Sequence, residues 1–465
     1  MTLSTLPAQR TAARRTGVAL TVLVALIALT ARLAAGQTPA GGGPPQVISL
    51  GEAARLAARQ SASVDAARLR TTEAEARVRQ SRAALLPNVS ALASDGSRTF
   101  NTATLGLEVP GFFDPRGEVL GPVRVIDFRG RVQSSLVDLG AIQRVRGAQA
   151  SARAADADAA NVAEQAAAGA AAAYLRALRA QAQVDARTAD SVLAGELLGI
   201  AQDQLRAGTG VALDVTRAQA QVAATRAQLI VARNERDRAR LDLLRTLNLS
   251  LDAPVVLSDS LGGLAGVEDS LITAAAESLA IERALRSRPD LRALEEQINA
   301  AQRQLRATRA ERYPTLGVFV DDGMVGKSYG RLLNTYTYGF QLSVPIFTGF
   351  RAEGREQEQE ALQRELDVRR RDLRQQASVE VRGALLDLAS AREQVAAARE
   401  RLGLAEQELS QARERFAAGV AGNADIITAS LNLNASRNFV IDALTLYQSA
   451  RVALARAEGA VTELP

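Results

Sequence analysis

The sequence contains no cysteine, histidine or tryptophan, and aromatic residues make up only 3% of it. Without cysteine there are no disulfides and no thiolate ligands for a metal, and without histidine there are no imidazole ligands and no nucleophile–histidine pair. Most hydrolytic and redox sites are therefore excluded. We expect a protein that is not an enzyme and that holds no cofactor and no metal.

Lysine is almost absent: Lys327 is the only one, so 55 of the 56 basic residues are arginine. Four of these arginines lie in residues 1–36, which contain no acidic residue. Removing these four from the formal net charge of +5 leaves +1. A nearly neutral chain lacks the concentrated basic face that nucleic-acid binding needs, and we predict no nucleic-acid partner.

Long hydrophobic runs are also missing, apart from the first 36 residues. There, arginines precede an apolar run over 17–31 and small residues end the segment, a pattern typical of a secretory signal peptide. An uncleaved membrane anchor is the alternative, although about 15 apolar residues are short for a transmembrane helix. If the protein crosses a membrane elsewhere, we expect it to do so without helices.

No proline lies between Pro122 and Pro254, and this gap predicts long helices. One helix is predicted over 141–207, a length of roughly 100 Å at 1.5 Å per residue, and a return helix over 211–247. The same arrangement recurs with a long helix over 350–417 and a return helix over 423–458. Helices of this length favour a coiled coil or a helical array over a compact domain.

Two segments instead alternate with the period of a strand and predict β-hairpins over 88–137 and 315–347. Each has one apolar face and one polar face, and Pro87 and Pro314 end the helices before them. The apolar faces are predicted to be lipid-facing and comprise Ile126, Phe128 and Val132 in the first hairpin and Tyr336, Tyr338, Phe340 and Leu342 in the second. A soluble sheet with one buried face is the alternative.

The two halves of the chain match in the order helix, strand, strand, long helix, return helix. The predicted organisation is listed here in chain order: signal peptide 1–36, flexible lead-in and equatorial segment 37–61, first repeat 62–248, equatorial insert 249–287, second repeat 288–458 and tail 459–465. Four strands per chain are too few to close a barrel, which needs about eight. Three chains would supply 12, within the range of outer-membrane barrels.

The order and spacing of these features resemble those of the TolC family of outer-membrane channel proteins. The resemblance rests on the opening SLGEA at 49–53, the Leu86-Pro87 and Tyr313-Pro314 helix ends, RPDL at 288–291 and the two turns that follow the long helices. It implies a fold that is mainly α with a small β part. Long antiparallel helical hairpins would form a periplasmic α-barrel, and four strands per chain would join a 12-stranded barrel of a homotrimer.

The resemblance further implies a passive exit duct in the outer membrane, in contact with its lipid, for a tripartite efflux pump or a type I secretion system. The implied partners are a periplasmic adaptor and an inner-membrane transporter. In the family, the periplasmic end is a closed entrance that opens by untwisting of the return helices. A structural coiled-coil envelope protein and a periplasmic adaptor are the alternatives.

The candidate gate residues are Asp214 and Asp425, at matching positions in the first turns of the two return helices. In a trimer they would place six carboxylates around a narrow mouth and favour cations. Alternatively, each simply stabilises a helix N-terminus by about 0.3–1 kcal/mol, and Arg217 neutralises Asp214 within its own helix. Thr428 takes the place of Arg217 in the second half.

Other residues at the two turns are assigned by the same resemblance. The arginine that some relatives use to hold the second turn closed is replaced here by Ala421 or Gly422. Possible substitutes are Arg206, Arg413 and Arg415. The predicted adaptor-docking turns contain Gly208, Gly210, Gly419 and Gly422, although glycines at these positions also suit a tight turn without any partner. Asp321 and Asp322 are interpreted as a solvated extracellular loop tip.

Overall fold

The computed structural model describes residues 46–102, 117–262, 274–418 and 423–465. The prediction of a mainly helical chain with a small β part is confirmed. The predicted signal peptide, Gly419 and Gly422 lie outside the described residues. In the described part of the chain, no helix combines the length and the apolar character needed to span a membrane.

Eight helices and six strands occupy the described ranges. The helices are α1 (Leu50–Gln60), α2 (Ala62–Ala83), α3 (Leu139–Arg206), α4 (Ala212–Thr246), α5 (Ala274–Ser287), α6 (Pro289–Ala310), α7 (Arg351–Ala417) and α8 (Asn423–Glu458). The strands are β1 (Gln46–Ile48), β2 (Asn88–Asn101), β3 (Val119–Val137), β4 (Val255–Leu257), β5 (Thr315–Gly326) and β6 (Leu332–Ser343). Strands β2 and β3 lie within the first predicted hairpin, 88–137, and strands β5 and β6 lie within the second, 315–347.

Helices α1, α2 and α3 begin at residues whose side chains satisfy free backbone N–H groups of the first turn. Ser49 and Glu52 form a reciprocal capping box at α1. The Asp138 carboxylate accepts from the Ala141 N–H at 2.7 Å and so starts α3 directly after β3. Pro289 occupies the first turn of α6, where its missing N–H costs nothing.

The long helices form a row. Helix α3 packs along four helices, namely α2, α4, α6 and α8. Helices α6 and α8 also pack against α7. In the described part of the chain, α4 makes extensive contacts only with α3. The order across the row is therefore α2 and α4, then α3, then α6 and α8, then α7, so that α2 and α4 form one flank and α7 forms the other.

Tyr174 anchors the middle of α3. Its side chain is fully buried, and its hydroxyl hydrogen bonds to the Ile48 carbonyl at 2.9 Å and to the Asp259 carboxylate at 2.8 Å. Burial, with the neighbouring Asp259, raises the pKa of Tyr174 above its ordinary value of 10.0.

A separate small unit contains residues 46–47 and 252–256, in which the Gln46 N–H donates to the Pro254 carbonyl at 2.8 Å.

The four longer strands form one antiparallel sheet in the order β2-β3-β5-β6. The register places Phe128 and Val132 on the same face as Val320 and as four apolar side chains of β6, those of Tyr336, Tyr338, Phe340 and Leu342. The opposite face carries charged and hydroxyl side chains. There the Arg131 guanidinium donates to both Asp321 oxygens, at 2.6 and 3.1 Å.

Two predictions about this sheet are wrong, one for Ile126 and one for the pair Asp321 and Asp322. Ile126 was expected to face lipid, but it is fully buried. Its neighbours on the same face, Arg124 and Phe128, both lie against the Tyr329 ring, at 5.5 Å and 6.4 Å from its centroid. The Tyr329 hydroxyl also donates to Asp95, which lies opposite Ile126 in the register. The loop after β5 therefore folds back and covers Ile126.

Asp321 and Asp322 were expected at a solvated loop tip, but they lie within β5. Asp321 points to the polar face, where its ion pair with Arg131 leaves it buried. Asp322 is exposed on the apolar face, opposite Tyr336. The prediction failed because an acidic pair suggests a loop by composition, whereas strand alternation sends the two carboxylates to opposite faces.

Candidate functional site

The candidate site is the turn end, where α3 meets α4 and α7 meets α8; it comprises residues 204–214 and the described parts of 416–426. At the first turn, Gly208 has φ +73°, and the N–H groups of Thr209 and Gly210 both donate to the Gln204 carbonyl at 3.0 Å. These bonds satisfy a carbonyl that the helix end leaves free. A Cβ on Gly210 would come within 3.0 Å of the Gln204 Cβ.

The left-handed conformation of Gly208 leads to a stability prediction. We expect Gly208→Ala to destabilise the folded protein by about 1 kcal/mol, because an L side chain is strained at this φ. Gly199 lies inside α3 with open space around its Cα, so Gly199→Ala should instead stabilise by about 0.5–1 kcal/mol. Thermal unfolding of both variants measures the two shifts, and shifts of the same sign would contradict the assignment.

The structure places the two candidate gate aspartates in unlike surroundings. Asp214 is half-buried in the first turn of α4, and its carboxylate lies 3.8 Å from the Arg217 guanidinium of the same helix. Asp425 is exposed in the first turn of α8, with Thr428 one turn further along. Only Asp214 therefore has the neighbouring arginine that the sequence analysis considered as an alternative to a ring of free carboxylates.

The arginines proposed as gate partners also differ. Arg206 pairs with Asp203 of its own helix. Arg413 of α7 instead reaches across to Glu196 of α3 at 3.0 Å and so ties the two hairpins together. Arg415 is exposed next to the buried Phe416. Their roles in a gate stay predictions.

A hydrophobic cluster that was not predicted from the sequence holds the turn end together. It contains buried side chains of three helices: Leu193 and Leu197 of α3, Ala405, Leu409 and Phe416 of α7, and Ile426, Ala429 and Leu433 of α8. The Gln204 side-chain amide donates to the Phe416 carbonyl at 3.2 Å and thereby binds the C-terminal end of α7. Because Leu197 of α3 and Ala405 of α7 are about 200 residues apart in the chain, no local sequence pattern shows that these side chains pack together.

A buried charge cluster, which was also not predicted from the sequence, lies on α3 farther from the turn than this hydrophobic cluster. The Asp190 carboxylate is 2% exposed and accepts from Arg187 at 3.2 Å and from Arg437 of α8 at 3.0 Å. With its amide nitrogen turned toward Asp190, Asn434 donates to the same carboxylate and to the Ser430 carbonyl. Burial raises the pKa of Asp190 above its ordinary value of 3.8, against the opposing effect of the two guanidiniums.

Several solved structures share this architecture. The outer membrane protein VceC from Vibrio cholerae superimposes with a TM-score of 0.71 at 19% identity, over 88% of this chain and 96% of VceC. The open state of the MtrE outer membrane channel from Neisseria gonorrhoeae gives a TM-score of 0.72 at 19% identity, over 89% of each chain. At this identity, these likenesses show the fold alone.

A curated relative matches part of the chain. The alkaline protease secretion protein AprF from Pseudomonas aeruginosa is 30% identical over 183 residues. This stretch is 38% of the present chain and 37% of AprF, so the chain spans about a third of the length of this relative.

The family model described as "Outer membrane efflux protein" matches residues 53–249 and 280–460, most of the chain. The matched ranges include the four strands of the sheet, both hairpins of long helices and the turn end. The resemblance to the TolC family of outer-membrane channels is confirmed. The protein is located in the bacterial outer membrane, with a large helical portion in the periplasm. The chain belongs to the outer membrane efflux protein family.

Proposed function

We propose that three copies of the chain assemble into a passive exit duct of a tripartite efflux pump or a type I secretion system. The strands would form a 12-stranded barrel in the outer membrane, and the helices would form a tube across the periplasm. A periplasmic adaptor would dock at the turn end and open it by untwisting the return helices, and an inner-membrane transporter would supply the cargo. The observation that carries this proposal is a large exposed apolar surface on both the sheet and the row of helices.

The sheet supports insertion into lipid. Tyr336, Tyr338, Phe340 and Leu342 are 65–75% exposed along one face of β6. An apolar face of this kind in water would invite aggregation, whereas in a bilayer it faces acyl chains. This exposure argues against the alternative of a soluble sheet with one buried face and against a purely structural coiled coil.

The edges of the sheet support pooling of strands from several copies. Strands β2 and β6 are the two ends of the order β2-β3-β5-β6, so each has only one neighbour among the residues that the structure describes. In a bilayer, unpaired backbone groups of an edge strand are too costly to leave exposed to lipid. Pairing of β2 from one copy with β6 of the next would satisfy both edges, and three copies would supply 12 strands.

The row of helices supports the same assembly. Val368, Val379, Leu386 and Leu404 of α7 are 54–71% exposed. They are separated by 11, 7 and 18 residues, each close to a whole number of turns, so they form one stripe along α7. We name these four residues the α7 stripe.

The buried residues of α7, among them Ala377, Val381 and Ala384, lie on the side opposite the α7 stripe. The other flank of the row also exposes large apolar side chains, among them Leu69 on α2 and Ile230 and Val231 on α4. Packing of the α7 stripe against α2 and α4 of the next copy would close the row into a tube.

The type I secretion version of the proposal has one observation in its favour. The curated relative with 30% identity is named for secretion of an alkaline protease. A duct for a protein must admit an unfolded chain, whereas a duct for small molecules need not. Export of a protein cargo from a strain that depends on this chain would favour secretion over efflux.

Reconstitution tests the proposal. Purified protein added to a planar lipid bilayer is expected to insert with stepwise ohmic conductance, and to migrate in electrophoresis as a heat-sensitive oligomer. Both results follow from a closed β-barrel in lipid. A monomeric protein that stays out of liposomes and never conducts would instead support the structural coiled-coil alternative.

Ion selectivity tests the role of the gate aspartates. Because Arg217 accompanies Asp214 but Asp425 is exposed, we expect Asp425→Ala to lower cation preference more than Asp214→Ala. The double variant should lower it by at least about twofold. Asp237→Ala, an exposed residue of α4 far from the turn, is the control. Unchanged selectivity and conductance in the double variant would exclude the aspartates as a selectivity ring.

A further inference from the structure

We propose that the inner wall of the duct carries a binding site for amphipathic organic anions, formed by Arg401 of α7 and by Phe439 and Leu446 of α8. This inference rests on the proposed function as a duct and names a class of cargo for it. The ligand is a small molecule with an apolar, aromatic body and a carboxylate or sulfonate group. The face of the row of helices on which the three side chains lie, their exposure and their charge carry the inference.

One face of the row of helices is covered by the short helices α1 and α5. On this face, the Tyr174 hydroxyl of α3 hydrogen bonds to the carbonyl of Ile48, two residues before α1. Val381 of α7 lies in one buried cluster with Ala280 and Ala284 of α5. We name the side of the row on which Tyr174 and Val381 point outward the covered face.

In the proposed tube, the covered face is the outer one. Each copy supplies four helix positions across the row, so three copies supply 12. At an interaxial spacing of 8–10 Å, such a tube has an inner width of roughly 25 Å. Six short helices from three copies, each about 10–12 Å across, would fill that width completely. The face opposite the covered face therefore lines the lumen.

Arg401, Phe439 and Leu446 lie on this lumen-lining face. Arg401 follows Val381 by 20 residues, which places it about half a turn away around the axis of α7. Its guanidinium stacks over the Phe439 ring of α8, 4.4 Å from the ring centroid. Leu446 follows Phe439 by seven residues, close to two whole turns of α8. We name these three residues the lumen site.

The lumen site combines an apolar surface with a positive charge. The Phe439 and Leu446 side chains are 54% and 45% exposed, so the apolar body of a ligand can cover them. Within the described part of the chain, Arg401 has no carboxylate partner, and its guanidinium is held by the Phe439 ring. Arg179 of α3, by contrast, pairs with Asp442, which lies between Phe439 and Leu446 on α8. The positive charge of Arg401 beside the apolar surface favours a ligand that is both apolar and anionic.

The geometry of the stacked pair suits such a ligand. A guanidinium on an aromatic ring keeps its N–H donors in one plane, where they can bind two oxygens of a carboxylate or sulfonate. Phe439 follows Asp425 by 14 residues, so three copies would place three lumen sites at one level, roughly 20 Å from the turn end. The site is exposed rather than enclosed, and binding in a duct must be weak enough for the cargo to leave.

Block of the ionic current in a planar bilayer tests the lumen site. The probe is naphthalene-2-sulfonate, with methanesulfonate as the anion without an apolar body and 2-naphthalenemethanol as the apolar body without a charge. The probe is expected to halve the current at a concentration about tenfold or more below that of either comparison compound. Phe439→Ala and Arg401→Gln should each raise the half-blocking concentration of the probe by about fivefold or more.

Arg399→Gln is the matched control. Arg399 is also exposed and makes the same change of charge, but it lies about half a turn away from Arg401 around α7. The control should leave the half-blocking concentration within about twofold of wild type. Each block is measured against the unblocked current of the same variant. If Phe439→Ala does not conduct, Phe439→Leu replaces it and should weaken the block by about twofold or more, because it keeps an apolar side chain but loses the ring.

Equal block of wild type and Arg401→Gln would overturn the inference while leaving the duct intact. A loss of block in Arg399→Gln as large as that in Arg401→Gln would do the same, because the effect would then come from the overall charge of α7. Block by methanesulfonate at the same concentration as the probe would show that the apolar side chains bind nothing. A wild-type protein that never conducts would instead overturn the proposed function.

Discussion

Replacing Val379 and Leu386 together by glutamate is expected to convert the proposed trimer into monomers. Both residues belong to the α7 stripe and are about 70% exposed in the single chain. In the proposed tube they lie between copies. The double variant removes about 1.5–3 kcal/mol of apolar burial per side chain, and it adds a desolvated carboxylate whose cost is several kcal/mol unless it finds a partner.

This loss of association free energy is repeated at all three interfaces of the proposed ring, so partial assembly is not expected. Light scattering coupled to size exclusion in detergent measures the mass directly, and the bilayer assay should show no stepwise conductance. Helical content by circular dichroism should stay unchanged, because both side chains are largely exposed in the described part of the chain.

Ala396→Glu is the matched control. Ala396 is also exposed on α7, but it lies about a quarter turn away from the α7 stripe. A glutamate there should leave the trimer intact. A trimer that survives Val379→Glu/Leu386→Glu, or one that Ala396→Glu disrupts equally, would exclude the α7 stripe as the contact between copies.

The long helices could be predicted from the sequence because their signals are local. The proline-free stretch and the glycines at the turn give a long helix within two residues of the observed Leu139–Arg206. Alternation likewise predicted the exposed tyrosines of β6. These signals depend on residues within a few positions of each other, so they determine the local backbone conformation directly.

The burial of Ile126 could not be predicted in this way. It depends on Tyr329, which is about 200 residues away and lies in a different hairpin. The Asp190 cluster is similar, because Arg437 is 247 residues further along the chain. The residues next to Arg437 in the sequence do not indicate which distant side chain it contacts. Such contacts follow from the packing of the row of helices, which the sequence pattern does not specify.

The second large effect, a loss of folding stability, is expected from Arg437→Met. The substitution removes the α8 partner of Asp190 but retains a long apolar side chain. Breaking a buried ion pair costs about 3–5 kcal/mol, because the remaining charge is left without compensation. Arg437 itself is 28% exposed, and Arg187 still contacts Asp190, so we expect a loss near the lower end of that range.

The same variant should show a definite pH dependence. The pKa of Asp190 is already raised by burial in the folded chain. A carboxyl group of this kind contributes most to stability below its ordinary value of 3.8, and that contribution is lost as pH rises through the folded-state value. Removing Arg437 raises the folded-state pKa further. The difference in melting temperature between wild type and variant should therefore be large at pH 7 and shrink toward pH 4.

Two companion variants separate this explanation from a general loss of packing. Arg179→Met breaks the Arg179–Asp442 pair, which joins the same two helices at 2.8 Å but is about half exposed. It should cost no more than about 1 kcal/mol and show little change with pH. Arg437→Met combined with Asp190→Leu removes the buried charge as well and should recover most of the lost stability. If Arg179→Met destabilises as much as Arg437→Met, or if the loss from Arg437→Met persists undiminished at pH 4, an uncompensated Asp190 carboxylate is not the cause.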